Sequence, residues 1–161
     1  MSCHQFRVGL ISDTHGLLRP EAVNTLRGSD LIIHAGDIGH VGIIEQLGEL
    51  APVTAVRGNN DNASWAAKLS ETDLVNAGEI LIYVIHDIAQ LDLDPVAAGF
   101  HVVVSGHSHR PGIEKRNGVL YVNPGSAGPR RFTLPVSVRE LAISGVNIRP
   151  QLFTLQVQRA T

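Results

Sequence analysis

Six short apolar runs punctuate this chain, and each ends on a residue that can bind a metal ion or an anion. Residues 8–12 lead into Asp13, Thr14 and His15, and residues 31–36 into Asp37. Residues 53–58 lead into Asn59, Asn60 and Asp61, and residues 80–85 into His86 and Asp87. Residues 102–106 lead into His107, Ser108 and His109, and residues 120–122 into Asn123, Pro124, Gly125 and Ser126. Short runs rich in Val and Ile, bounded by Gly or polar breakers, predict buried strands. Open α/β sheets place their sites beyond the carboxyl ends of such strands. Here carboxylates, imidazoles and amides all gather on that edge.

Helix-like stretches separate the early runs. Pro20 opens one that closes before Gly28, and residues 41–50 form another before Pro52. Residues 63–69 read as a short helix capped by Asn62, and residues 94–99 carry a cap, a first-turn Pro and a terminal Gly. This alternation predicts β-α-β units and a largely parallel sheet. The last third differs. Asn117-Gly118 between two apolar-alternating stretches is a hairpin signal, and residues 136–143 and 146–157 alternate with period two across Ser144-Gly145. The expected architecture is α/β: two packed sheets with helices outside, in one domain over residues 1–161.

The bulk properties exclude several classes. A length of 161 residues suits one domain with a sizeable core. A net charge of -2 offers no basic face, so stable nucleic-acid binding is not expected. Cys3 is the one cysteine, which rules out an internal disulfide and a four-cysteine zinc site. Residues 1–7 are polar, unlike a secretory signal, and no apolar stretch approaches a membrane span. A cytoplasmic location without membrane attachment is the expectation.

The strand-end residues form a ligand set. Asp13 and His15 are two apart, and in extended backbone both side chains would point the same way. Gly36 lets the backbone near Asp37 approach closely, and a carboxylate can bridge two ions. Asn59 offers a carbonyl oxygen, and His86, His107 and His109 offer nitrogens. Together these seven suffice for two ions sharing a bridge. Such donors suit Mn, Fe, Zn, Co or Ni, and two-metal sites of this kind clamp the attacking and leaving oxygens of a hydrolysed ester.

In chain order, Asp13-x-His15, Gly36-Asp37, Gly58-Asn59-x-Asp61, His86 and Gly106-His107-x-His109 resemble the motifs of calcineurin-like metallophosphoesterases. The Asn123-Pro124-Gly125-Ser126 loop and the small size resemble that superfamily's cap-less bacterial and archaeal phosphodiesterases. The resemblance implies a four-layer α/β/β/α sandwich of two mixed sheets flanked by helices. It implies a metal-dependent phosphoesterase in which a hydroxide bridging two metals attacks a phosphodiester. Asp13, His15, Asp37 and His109 would hold one ion, and Asp37, Asn59, His86 and His107 the other. Asp37, Asn60 and His86 would take part in catalysis. The implied cofactors are two divalent ions per chain, Mn2+ by preference, with Zn2+, Fe2+, Ni2+ or Co2+ as alternatives. Two positions depart from the pattern. Asn60 stands where many members have His, and His86-Asp87-Ile88 replaces the subgroup's His-Gly-His. Asp87 adds negative charge beside the site, which disfavours highly charged substrates.

Other readings stand beside this one. The same fold serves as a protein-binding scaffold in some relatives, including a subunit of the retromer coat. A phosphomonoesterase acting on a small metabolite is a second alternative, and homo-oligomerisation is left open. Among residues outside the pattern, which include His4 and His101, His34 reads as a satisfied core residue. Arg57, His40 and the Arg130-Arg131 pair read as structural or solvated, and Asn123 to Ser126 as a turn buttressing the site.

Overall fold

All six apolar runs are strands, and they fall into two parallel triplets on different sheets. The computed structural model describes residues 5–157; the expectations attached to residues 1–4, Cys3 and His4 among them, lie outside the described residues. In chain order the elements are β1 (Phe6–Ile11), α1 (Pro20–Leu26), β2 (Leu31–His34), α2 (Val41–Gly48), β3 (Val53–Ala55) and β4 (Thr72–Ala77). They continue with β5 (Ile80–Ile85), β6 (Val102–Val104), β7 (Gly112–Arg116), β8 (Val119–Asn123), β9 (Ser137–Ser144) and β10 (Asn147–Thr154). One sheet has the order β10-β9-β1-β2-β3 and the other β4-β5-β6-β8-β7. Strands β1, β2 and β3 run parallel, as do β5, β6 and β8. Strands β9 and β10 extend the first triplet antiparallel, and β4 and β7 flank the second antiparallel. Both sheets are therefore mixed, rather than one being largely parallel.

Side-chain alternation sets the layers, because successive residues of a strand face opposite sides. Val8 and Leu10 of β1, Ile82 and Val84 of β5, and Val102 and Val104 of β6 meet in the core between the sheets. Ile11 and Ile32 face outward and pack on Ala22 and Leu26 of α1 and on Ile43 and Leu47 of α2. The outer face of the second sheet presents Tyr83, Ile85 and Val103. It is covered by Leu91 and Phe100, with Phe100 stacked on Tyr83 at 4.9 Å, so that outer layer is a loop carrying one 3-10 turn, Ile88–Gln90.

The turn chemistry follows the sequence. Asn117 and Gly118 both have positive φ, 50° and 83°, between the paired residues Arg116 and Val119, as a two-residue hairpin of the inverted type requires. The β9–β10 turn is Gly145-Val146, one residue later than the expected Ser144-Gly145, with Ser144 paired to Asn147. Two expected helices are corrected. Residues 63–69 form a 3-10 helix, Ser64–Lys68, and Asn62 does not cap it. Bonds from Ala66 to Ala63 and from Leu69 to Ala66 close three-residue turns in a segment too short to nucleate an α-helix. Residues 94–99 form one turn, closed by Ala98 N–H on the Asp94 carbonyl at 3.0 Å. Val96 lies exposed there, so no buried apolar face extends it. Among the described residues, no helix is long and apolar enough to cross a membrane.

Candidate metal centre

Every one of the seven predicted ligand positions lies just past the carboxyl end of a parallel strand. Asp13 and His15 follow β1, Asp37 follows β2 and Asn59 follows β3; His86 follows β5, and His107 and His109 follow β6. The chain leaves the strands sharply. Asp13, His15, Asp37, His107 and His109 all have left-handed backbones, with φ between 46° and 69°. Asp13 and His15 thus meet in space without the extended geometry expected of them. Left-handed residues other than Gly cost free energy and persist where surrounding contacts hold them. Here Asp13 N–H donates to the Gly36 carbonyl at 3.0 Å, His15 N–H to Asp37 at 2.9 Å and Gly16 N–H to Ile38 at 2.8 Å. The β1 loop is thereby fastened to the β2 loop. Gly58 lets the third loop close on the second, since a Cβ there would collide with the Asp37 amide nitrogen and Oδ1.

Two groups of donors result: Asp13, His15 and His109, and Asp37, His86 and His107. His109 Nε2, His15 Nε2 and His86 Nε2 lie 3.3, 3.8 and 4.0 Å from Asp13 Oδ1. His86 Nε2 lies 3.2 Å from Asp37 Oδ2 and 3.0 Å from Asn59 Oδ1. His107 Nδ1 lies 3.2 Å from that same Asn59 oxygen. Asp37 stands between the groups, with Oδ2 3.7 Å from His15 Nε2. Asn60 turns both its backbone N–H (2.8 Å) and its side-chain amide (3.2 Å) onto Asp37. Its amide therefore orients the carboxylate.

Further residues support the ligand positions, and Ser12 among them has no sequence signal of its own. Ser12 Oγ donates to Asp13 Oδ2 at 2.7 Å, and His107 N–H donates to the same oxygen at 3.1 Å. His34 is a core residue, as expected. Its Nδ1 accepts Gly36 N–H and its Nε2 meets Thr14 Oγ1 at 3.0 Å, while Thr14 donates to the Ile38 carbonyl at 2.8 Å. His34 thus braces the residue between two candidate ligands. The Asp61 carboxylate gathers the N–H groups of Ile38, Gly39 and Gly58. Asn123 donates to the Gly106 carbonyl, and Ser126 Oγ to that of Asp13, so the loop after β8 buttresses the site. His40 caps α2 by accepting Gly42 N–H, and Arg57 pairs with Glu71 at 3.1 Å.

The electrostatics suit a cation. Burial alone would raise the Asp37 carboxyl, but the His86 hydrogen bond, the Asn60 N–H and the nearby imidazoles hold it at about 2. Burial likewise opposes ionisation of Asp13, yet contacts from His109 and Ser12 and the charge of His86 lower it overall. Burial depresses His15 against the pull of Asp37 and Asp13. Burial also acts to depress His86, but Asp37 and the Ala35 carbonyl outweigh it and raise it. Asp13 Oδ1 is buried and accepts no hydrogen bond. His86 Nδ1 is 2.7 Å from the Ala35 carbonyl, which makes it the donor and turns the Nε2 lone pair toward Asp37 and Asn59. Lone pairs converging at 3.0–3.3 Å fit neighbouring corners of a shell of bonds ~2.1 Å long around a divalent ion. The residues fit two such ions.

A donor set of Asp, Asn and His at the carboxyl ends of two facing parallel triplets is that of a metal-dependent phosphoesterase. Residues 6–144 match the calcineurin-like phosphoesterase superfamily domain, and the chain belongs to that superfamily. It is 36% identical over 157 residues to a probable metallophosphoesterase of Methanothermobacter thermautotrophicus, covering 91% of each chain. A phosphodiesterase of Methanocaldococcus jannaschii is 26% identical over 137 residues, covering 74% of this chain and 82% of that protein. The fold matches Vacuolar Protein Sorting 29 from Cryptosporidium parvum with a TM-score of 0.77 at 20% identity, covering 93% and 98% of the two chains.

Proposed function

We propose that this protein hydrolyses phosphodiesters with two divalent ions, Mn2+ by preference, held by Asp13, His15, Asp37, Asn59, His86, His107 and His109. The observation that carries the reading is Asp13 Oδ1, buried without a donor and faced by three imidazole nitrogens. Two cations held there would supply a water of lowered pKa and offset charge on the phosphoryl oxygens. Asp37 joins the two donor groups, and Asn60 fixes the orientation of its carboxylate. His86 presents its Nε2 lone pair because its Nδ1–H donates to the Ala35 carbonyl. Asn60 cannot act as a general acid at neutral pH, so no imidazole at that position protonates the leaving oxygen. The phosphodiesterase relative supports the diester reading.

The test is turnover of bis-p-nitrophenyl phosphate by protein stripped with chelator and then reloaded with Mn2+, Zn2+, Fe2+, Ni2+ or Co2+. Activity should vanish on stripping and return with an ion. Full activity in demonstrably metal-free protein overturns the reading. The fold shared with Vacuolar Protein Sorting 29 favours a second reading, a protein-binding scaffold. Protein that binds no stoichiometric metal and turns over no ester would support it.

A further inference from the structure

A groove of about 420 Å3 opens beside Asn59 and His86. Its walls carry the carboxylates of Glu71, Asp87 and Asp92 against one guanidinium, that of Arg57. Arg57 is spent on Glu71 at 3.1 Å, so the charge left facing the groove comes from Asp87 and Asp92. Asp87 is the better placed. Its Oδ1 accepts Ala89 N–H at 3.0 Å, which pins the carboxylate. Its Oδ2 lies 3.8 Å from His107 Nε2, on the ring whose Nδ1 faces Asn59. The negative charge is thus fixed one imidazole away from the proposed ions, in the wall of the groove.

We infer that Asp87 is a specificity residue that selects monoanionic phosphodiesters with neutral or cationic arms and rejects dianionic monoesters. This rests on the phosphoesterase reading above. A phosphate bound at the ions must extend its second ester arm, or its second negative charge, into the space beside them. A neutral arm meets Asp87 without electrostatic cost, whereas a second negative charge is repelled. Charge repulsion scales with the product of charges, so removing Asp87's charge helps a dianion by the square of the factor by which it helps a monoanion. At about 8 Å in water, an imidazole's width away, one unit charge changes affinity by about twofold.

The experiment measures binding by calorimetry, in low salt at pH 8, of inorganic phosphate and of dimethyl phosphate. The proteins are the Mn2+-loaded wild type, Asp87→Asn and Asp87→Glu. Asn keeps an oxygen for Ala89 N–H, so the local turn survives. Asp87→Asn should shift the affinity ratio toward inorganic phosphate by about twofold, and Asp87→Glu should stay near the wild type. Raising ionic strength should shrink the difference, because the Debye length falls to ~3 Å at 1 M. Asp92→Asn, which touches no proposed ligand, should move the ratio in the same direction by a smaller factor. A ratio unmoved in Asp87→Asn overturns the inference, whatever Asp92→Asn does. Turnover of bis-p-nitrophenyl phosphate by the same wild-type sample separates the two claims. Inert protein with a shifted ratio fails the hydrolase reading alone, and active protein with an unmoved ratio fails the Asp87 assignment alone.

Discussion

His34 couples the core to acid. It is fully buried, and burial, opposed only in part by Asp13 and Asp61, lowers it from 6.5 to about 4. In the unfolded chain it titrates near 6.5. Between those values the unfolded state carries a proton that the folded state lacks, so stability rises with pH across the window and is lost as pH falls from 6.5 toward 4. At 1.36 kcal/mol per pH unit, the full window is worth about 3 kcal/mol, a large share of a typical domain's stability. The perturbation is His34→Gln, which can still donate to Thr14 and accept from Gly36 but cannot titrate. Urea unfolding should be followed at pH 7.5, 6, 5 and 4 with chelator throughout, so that bound metal contributes nothing. At pH 7.5 the variant should be less stable by about 1 kcal/mol, the net worth of an imperfectly replaced hydrogen bond. That difference should close and reverse by pH 4, because only the wild type loses the His34 contribution. A constant difference across the series would refute the reasoning and mean that His34 is protonated, or solvated, in the folded protein.

Three further outcomes are expected. Asp37→Ala should lose ions from both donor groups after dialysis, whereas Arg130→Ala, exposed and outside them, should retain its metal; elemental analysis decides, and an Asp37 variant with two ions would break the bridge assignment. Asn60→His should flatten the dependence of kcat/KM on leaving-group pKa across substituted aryl phosphodiesters, since general acid help is typically worth ~10²–10⁴-fold for basic leaving groups. Parallel slopes would leave position 60 with its Asp37 contact alone. Gly58→Ala should destabilise by about 1–3 kcal/mol, the usual cost of overpacking, read as a lower midpoint in urea with unchanged slope; an unchanged midpoint would show that the loop can retreat from Asp37.

Strands β1, β2, β5 and β6 were legible because they are largely buried and read as near-continuous runs of Val, Ile and Leu. Strand β4 was not. It is an edge, its Asp73, Leu74 and Asn76 are exposed, and nothing in that alternation separates it from a loop. Asn117-Gly118 was legible because both residues take the positive φ that the turn demands. The ligand positions could be read as a set, since every one ends an apolar run. Their conformation could not. A period-two argument holds only while the chain stays extended, and Asp13 and His15 have already turned left-handed. The partners of the bracing residues were hidden for another reason. His34 with Thr14, and Asp61 with Ile38, are each joined across 20 or more residues, and such pairings belong to the tertiary fold.

The seven donors are divided between the sheets: Asp13, His15, Asp37 and Asn59 on one, His86, His107 and His109 on the other. The facing sheets are otherwise held by apolar packing, with a few hydrogen bonds crossing at this rim, such as His86 Nδ1 to Ala35 and His107 N–H to Asp13. Ions seated there, as proposed, would act as rivets through a laminate. They would resist peeling of the two leaves at one rim and leave the opposite rim to breathe. Amide hydrogen exchange at the carboxyl ends of β1, β2, β5 and β6 would speed up on chelation, while their amino ends would keep their pace.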